Sequence, residues 1–137
     1  MPSITYALSL RQPWATLLVH GRKMIEIRSW STSHRGKLLI HAAKLPDTRR
    51  EAWKHVPADL LEASELRGGI IGSVELTGVC EYRTKEMFTL DRRLHLNDPA
   101  WFRQPKMYGL VVTRAKSLPF RAMNGQVKLF TVSENGK

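Results

Sequence analysis

The stretch that decides the fold runs from Ser9 to Ala42: Ser9-Leu10-Arg11-Gln12-Pro13-Trp14-Ala15, then Gly21-Arg22-Lys23-Met24-Ile25-Glu26-Ile27-Arg28-Ser29-Trp30, then Arg35-Gly36-Lys37-Leu38-Leu39-Ile40-His41-Ala42. Ile4 to Leu10 leads into it as a first strand. Pro13 opens a short helix reaching about His20, because proline suits a first helical turn, and Gly21 closes it as a C-cap. Lys23 to Trp30 alternates as a strand, with Ile25 and Ile27 on one face and Met24, Glu26, Arg28 and Trp30 on the other. Ser31 to Gly36 is a turn, and Lys37 to Ala43 is a second, more buried strand.

Outward from there, residues 47–66 read as one or two short helices broken at Pro57, with Asp47-Thr48-Arg49-Arg50-Glu51 as N-cap and charged first turn. Gly68-Gly69 ends that region. Ile70 to Tyr82 is a long strand in which Gly72 and Gly78 mark bends or bulges. Residues 84–104 form a small helix and loop. Tyr108 to Leu118 and Val127 to Val132 are the final strands, with Asn124-Gly125 as the turn between them. No internal repeat, low-complexity tract or linker interrupts the chain, so residues 1–137 are read as a single domain. Its class is α+β: a small, partly open β-barrel of five to six strands with short helical insertions.

Apolar residues make up 42% of the chain, enough for a core that hides about two-thirds of the unfolded surface without metal or disulfide. The longest apolar runs fall far short of the roughly 20 residues that span a bilayer. Met1-Pro2-Ser3-Ile4-Thr5 lacks the basic and apolar regions of a signal peptide. The expectation is a cytoplasmic protein with no membrane partner. Cys80 has no cysteine to pair with, which suits a reducing compartment, and is read as a buried small hydrophobe near a strand end. His20, His34, His41, His55 and His95 show no metal-site spacing, and no Gly-rich phosphate loop occurs, so no cofactor or metal is expected.

The net charge is +10, and it is unevenly placed. Residues 1–44 carry seven basic side chains against one acid, Glu26, and residues 99–137 carry seven against one, Glu134. The middle, 45–98, is net acidic and reads as an ordinary solvated insert. If the two ends meet in the fold, they form a basic surface that concentrates phosphate polyanions. A nucleic acid is therefore the expected class of partner, and charge alone does not separate RNA from DNA; the sequence is silent on oligomeric state.

The quoted N-terminal segments resemble the ASCH domain family, of the PUA-like superfamily of small RNA-associated β-barrels. Gly69-Ile70-Ile71-Gly72-Ser73-Val74-Glu75-Leu76 is similar to the family's central strand, and Tyr108-Gly109-Leu110-Val111-Val112 and Pro119 to Val132 to its last strands. The resemblance implies association with RNA and, for stand-alone members, two activities. One is ribonuclease activity; the other is hydrolysis of N4-acetylcytidine by members with Gly-x-Lys-x-x-Thr plus a Glu elsewhere. Lys23 matches the Lys, but Glu26 stands where the Thr would be, which puts the amidohydrolase mechanism in doubt. Glu75 and Glu81 are the nearby candidates for the third group.

Glu26 has two readings. As part of an ion pair with Arg28, which shares its strand face, it closes the barrel. With Lys23 at the barrel mouth, it is a general base toward a water or ribose hydroxyl while Lys23 stabilises developing negative charge. On a regular strand Lys23 points the other way, so convergence requires the strand to begin after it or to bulge. Arg11, Lys23, Arg28, Arg35, Lys37 and Lys44 are the phosphate-contact candidates, and Trp14, Trp30 and Tyr108 the aromatics on which exposed bases would stack. Trp14 is equally suited to core packing beside Leu17 and Leu18. His41 reads as a hydrogen-bonded core histidine rather than a catalyst. Ser9, ahead of a strand-to-helix turn, invites a nucleophile reading, but with no G-x-S-x-G elbow and no evident triad it reads as a turn or cap group. Arg49, Arg50, Arg92 and Arg93 read as solvated helix faces with room for secondary nucleic-acid contacts. A regulatory protein-interaction module is the remaining alternative, and it ranks last because the chain shows no tail or second domain to couple.

Overall fold

A computed structural model describes residues 4–133. Its strands are β1 (Ile4–Leu10), β2 (Ile25–Arg28), β3 (Gly36–Ala42), β4 (Gly69–Tyr82), β5 (Met107–Ala122) and β6 (Leu129–Ser133). The helices are α1 (Trp14–Val19), α2 (Arg50–Trp53), α3 (Lys85–Leu90) and α4 (Arg92–His95), with 3₁₀ turns at Ala58–Leu60, Ala63–Glu65 and Pro99–Trp101. The strands form one curled half-barrel sheet in the order β2-β5-β4-β3-β1-β6, the α+β architecture expected. Among the described residues no helix is long and apolar enough to cross a membrane.

All six residues of α1 are buried, because the helix sits inside the curl of the sheet. Leu17 and Leu18 pack there with Leu8, Leu38, Ile40, Val74 and Leu110. A six-residue helix is not stable alone, so this packing sustains it. Gln12 holds its start: its Oε1 accepts from the Thr16 amide at 2.9 Å. Gly21, at φ +74°, ends it as expected. The Arg22 amide donates to the Leu17 carbonyl at 2.9 Å and the Gly21 amide to Leu18 at 3.2 Å, the pairing of a Schellman turn.

Two of the sequence-based readings near the site differ from the structure. The strand read from Lys23 to Trp30 spans only Ile25–Arg28, because the turn after α1 also consumes Lys23, whose amide donates to Leu17. Asn124-Gly125 does not join a hairpin. β5 pairs with β4 along its length and with β2 only over Tyr108–Val111, and β6 does not return onto it but pairs antiparallel with β1. The bends expected in the long strand are present, as register shifts at Ile70/Gly72 and Leu76/Gly78. Cys80 is half-buried rather than buried, its thiol 3.6 Å from the Gly109 carbonyl.

β1 runs parallel to β3 and antiparallel to β6, so the two basic ends of the chain do meet. At that end of the sheet the residues after β1, the start of β2 and the approach to β6 enclose a cavity.

Candidate functional site

The cavity has a volume of about 930 Å³. Lys23, Glu26 and Arg28 form its inner wall. Because β2 begins at Ile25, Lys23 escapes strand alternation and reaches Glu26: its Nζ lies 3.5 Å from Glu26 Oε1. Arg28 Nε donates to Glu26 Oε2 at 2.9 Å, and Arg28 Nη2 donates to the Ser9 carbonyl at 2.9 Å. Glu26 therefore bridges two cations, so both expected pairings of this carboxylate are present.

Lys23 is only 1% exposed. Its ammonium donates to the His95 carbonyl at the end of α4, a helix-end carbonyl with no intrahelical donor. It also lies 4.8 Å above the Trp14 ring. Burial pushes its pKa down to about 8 against the opposing attraction of Glu26. The sign of the resulting stability effect follows from proton counting. Between pH 8 and 10.5 the unfolded chain keeps a proton that the folded chain has released, so stability rises with pH in that window. We expect denaturant titrations to show a rise of about 3 kcal/mol across it. Lys23→Met should remove the rise.

The opposite wall comes from the segment read as a solvated insert. Asp47, 6% exposed, accepts from Trp14 Nε1 at 2.8 Å and from Arg49 Nη2 at 2.6 Å. Burial raises its pKa, but the Arg49 and Trp14 hydrogen bonds outweigh that and hold it at about 2. The Arg49 guanidinium lies 3.6 Å over the Trp101 ring, which meets Trp14 edge-on at 6.1 Å. Arg49 is thus a cavity residue and not merely a solvated one. Asn97 completes this side, its Nδ2 donating to the His95 carbonyl at 2.9 Å. Arg50, Arg92 and Arg93 are exposed, as expected.

Of the residues singled out from sequence, Arg11, Trp14, Lys23, Glu26, Arg28 and Trp30 line this one cavity. Trp14 is buried, as its core reading expects, and it also lines the cavity. Arg35 and Lys37 are exposed and do not line it; Arg35 Nη1 instead caps the Thr32 and His34 carbonyls. Lys44 lines a smaller neighbouring cavity. Tyr108 pairs with Arg28 in register but faces the Lys106 ammonium, 5.5 Å from its ring. Glu75 and Glu81 lie outside the cavity, Glu81 being paired with Lys106 at 2.8 Å. Besides Glu26, the carboxylate present is Asp47.

A profile of the ASCH domain matches residues 8–119, most of the chain. The chain belongs to the ASCH domain family. Human activating signal cointegrator 1 is 37% identical over 92 residues, covering 61% of this chain and 16% of that protein. Its mouse counterpart is 38% identical over 79 residues, covering 52% and 14%. This ASCH domain thus spans about a sixth of the curated relatives' length. The crystal structure of ASCH from Zymomonas mobilis superposes with a TM-score of 0.65 at 14% identity, covering 96% of this chain and 89% of that one. A point mutant of the same protein gives 0.67. The fold is therefore that of the ASCH and PUA-like half-barrels, and the family is one associated with RNA.

Ser9 departs from expectation: it sits on β1 rather than in a turn, and its Oγ is 2.8 Å from Nδ1 of the buried His41. His41 is, as expected, a hydrogen-bonded core residue, its Nε2 being 2.8 Å from the Met123 carbonyl.

Proposed function

We propose that this ASCH domain binds RNA that is single-stranded or carries exposed bases, taking a base into the cavity while the rim holds the flanking phosphates. The observation that carries this reading is the cavity lining: Trp14 and Trp30 beside five cations, Lys23, Arg11, Arg28, Arg49 and Lys128, against two carboxylates, Glu26 and Asp47. Aromatic faces accept any base by stacking, and the excess positive charge favours the phosphates that accompany it. A neutral small metabolite would have no use for the exposed rim arginine.

Titration of a labelled single-stranded RNA tests this. With about four phosphates neutralised, affinity should fall about 50-fold between 50 and 200 mM salt. Arg11→Glu at the rim should weaken binding on the order of tenfold, alike for different sequences. Trp30→Ala should cost about 1–3 kcal/mol, the worth of one stacked base. An affinity that is flat with salt would overturn the reading and leave the protein-interaction alternative. A DNA strand of the same sequence, run as competitor, reports whether the ribose hydroxyl matters.

A second reading, hydrolysis of the bound RNA or of a modified nucleoside, is favoured by the Lys23–Glu26 contact on the cavity wall, with Lys23 poised to lose its proton near pH 8. RNA integrity is followed in the same samples, with and without chelator, for wild type, Lys23→Ala and Glu26→Gln. Product formed by wild type and lost in both variants supports it. Intact RNA throughout leaves a binding module whose Lys23–Glu26 pair is structural.

A further inference from the structure

Beside the main cavity lies a second one, of about 570 Å³, and Ser9 lines both. His41, on the neighbouring parallel strand β3, is opposite Ser9 in register, which brings the two side chains onto one face. The Met123 carbonyl can only accept, so in the neutral His41 ring Nε2 carries the proton and donates to it across 2.8 Å. Nδ1 is then an acceptor, and the Ser9 hydroxyl, 2.8 Å away, donates to it. A hydroxyl, an imidazole base and a third group that fixes the tautomer are thus in series, the arrangement that activates a serine.

The surroundings suit that role. His41 is 1% exposed, so its ring is held, whereas Ser9 is only half-buried and opens to both cavities. Gly125 leaves the approach clear: a Cβ there would stand 2.9 Å from Ser9 Oγ and 2.8 Å from His41 Nδ1. Arg28 donates to the Ser9 backbone carbonyl, which holds that residue in place, and Lys44 lies on the wall of the second cavity.

We infer that Ser9 and His41 are a nucleophilic dyad for acyl esters, separate from the Lys23–Glu26 wall. Ser9 Oγ bonds to the acyl carbon as its proton passes to His41 Nδ1. The carbon–oxygen bond to the alcohol breaks, and the alcohol leaves with that proton. Water then attacks the acyl-serine, giving its proton to Nδ1; the acid is released and Ser9 recovers its hydrogen.

The test uses the full chain, without RNA, and a fluorophosphonate probe read by intact mass and peptide mapping. The expected result is one phosphonyl adduct on Ser9 of the native chain, absent after heat denaturation and in Ser9→Ala. His41→Asn should slow labelling on the order of 100-fold, the worth of a general base. Gly125→Ala, which crowds the hydroxyl without removing either member, should slow it too. No adduct on Ser9, or an unchanged rate in His41→Asn, overturns the dyad. Should His41→Asn fail to fold, Ser9→Cys decides: with His41 as base, its thiol should react with iodoacetamide at pH 6 at least about tenfold faster than Cys80 of the same chain. A rate no faster than that of Cys80 overturns the proposal.

Discussion

Glu26→Gln is expected to lower the unfolding free energy by about 3–5 kcal/mol at pH 7, the usual consequence of leaving one member of a buried ion pair alone. Among the described residues the carboxylate is the one anion paired with the Lys23 ammonium, at 3.5 Å, and it also holds Arg28 at 2.9 Å. Glutamine keeps the shape and loses the charge. The pH dependence separates this from a mere packing defect. Glu26 raises the Lys23 pKa against the burial that sets it near 8. Without it, that pKa falls further and the variant gains stability with pH below 8, where the wild type does not. The gap between the two proteins should therefore be widest in mild acid and narrow as pH approaches 8. Urea titrations at pH 6, 7.5 and 9 measure it. Lys23→Met combined with Glu26→Gln should recover part of the loss, since no charge is then stranded. A gap independent of pH would mean that Lys23 does not depend on Glu26.

How far the sequence carried this reading can be judged residue by residue. Local rules placed β1, β2 and β3 and the end of α1 at Gly21 within the first 42 residues, though not the bounds of β2. The same rules left Lys23 undecided, since strand period alone sends it away from Glu26. What resolves it is a hydrogen bond of the Lys23 amide to Leu17, a turn detail that periodicity does not encode. Asn124-Gly125 shows the opposite failure. The dipeptide signals a hairpin, but turn chemistry is local and does not encode that β6 finds its partner in β1, more than a hundred residues earlier in the chain.

The larger omission was the wall made by Asp47, Arg49 and Asn97. Net charge over a window of residues 45–98 describes the average side chain and hides the one buried acid. Asp47 is 33 positions from Trp14, so no local pattern joins them. One signal was available: Asp47 with Arg49 two residues on, where the Arg49 amide and guanidinium both return to the carboxylate. That spacing favours a side-chain-to-backbone turn over a helix start, and α2 indeed begins only at Arg50. Ser9 and His41 were also read separately, because parallel strand pairing between β1 and β3 sets their contact and only the assembled sheet shows it.

Asp47 carries the second large prediction, and it couples the fold to the proposed RNA contact. Asp47→Ala strands the buried Trp14 indole N–H and releases Arg49, and should cost about 3 kcal/mol. Asp47→Asn keeps an acceptor for the indole but loses the charge, and should cost about 2 kcal/mol at neutral pH. In the wild type the carboxyl sits at about 2 against 3.8 unfolded, so its stabilisation is complete above pH 4 and is lost as pH falls toward 2. Both variants should lack that acid limb of about 2 kcal/mol, which unfolding curves between pH 2 and 5 would show. Affinity should move the other way. Asp47→Asn removes one of the cavity's two carboxylates and frees the Arg49 guanidinium while leaving the Trp14 platform in place. Single-stranded RNA should then bind about two- to fivefold tighter at low salt, with the gain fading as salt rises. A protein that becomes less stable yet binds more tightly is the signature of a carboxylate that organises the wall at the expense of its positive potential. Weaker binding by Asp47→Asn would mean instead that the ligand needs Arg49 held flat over Trp101, and that Asp47 positions it there.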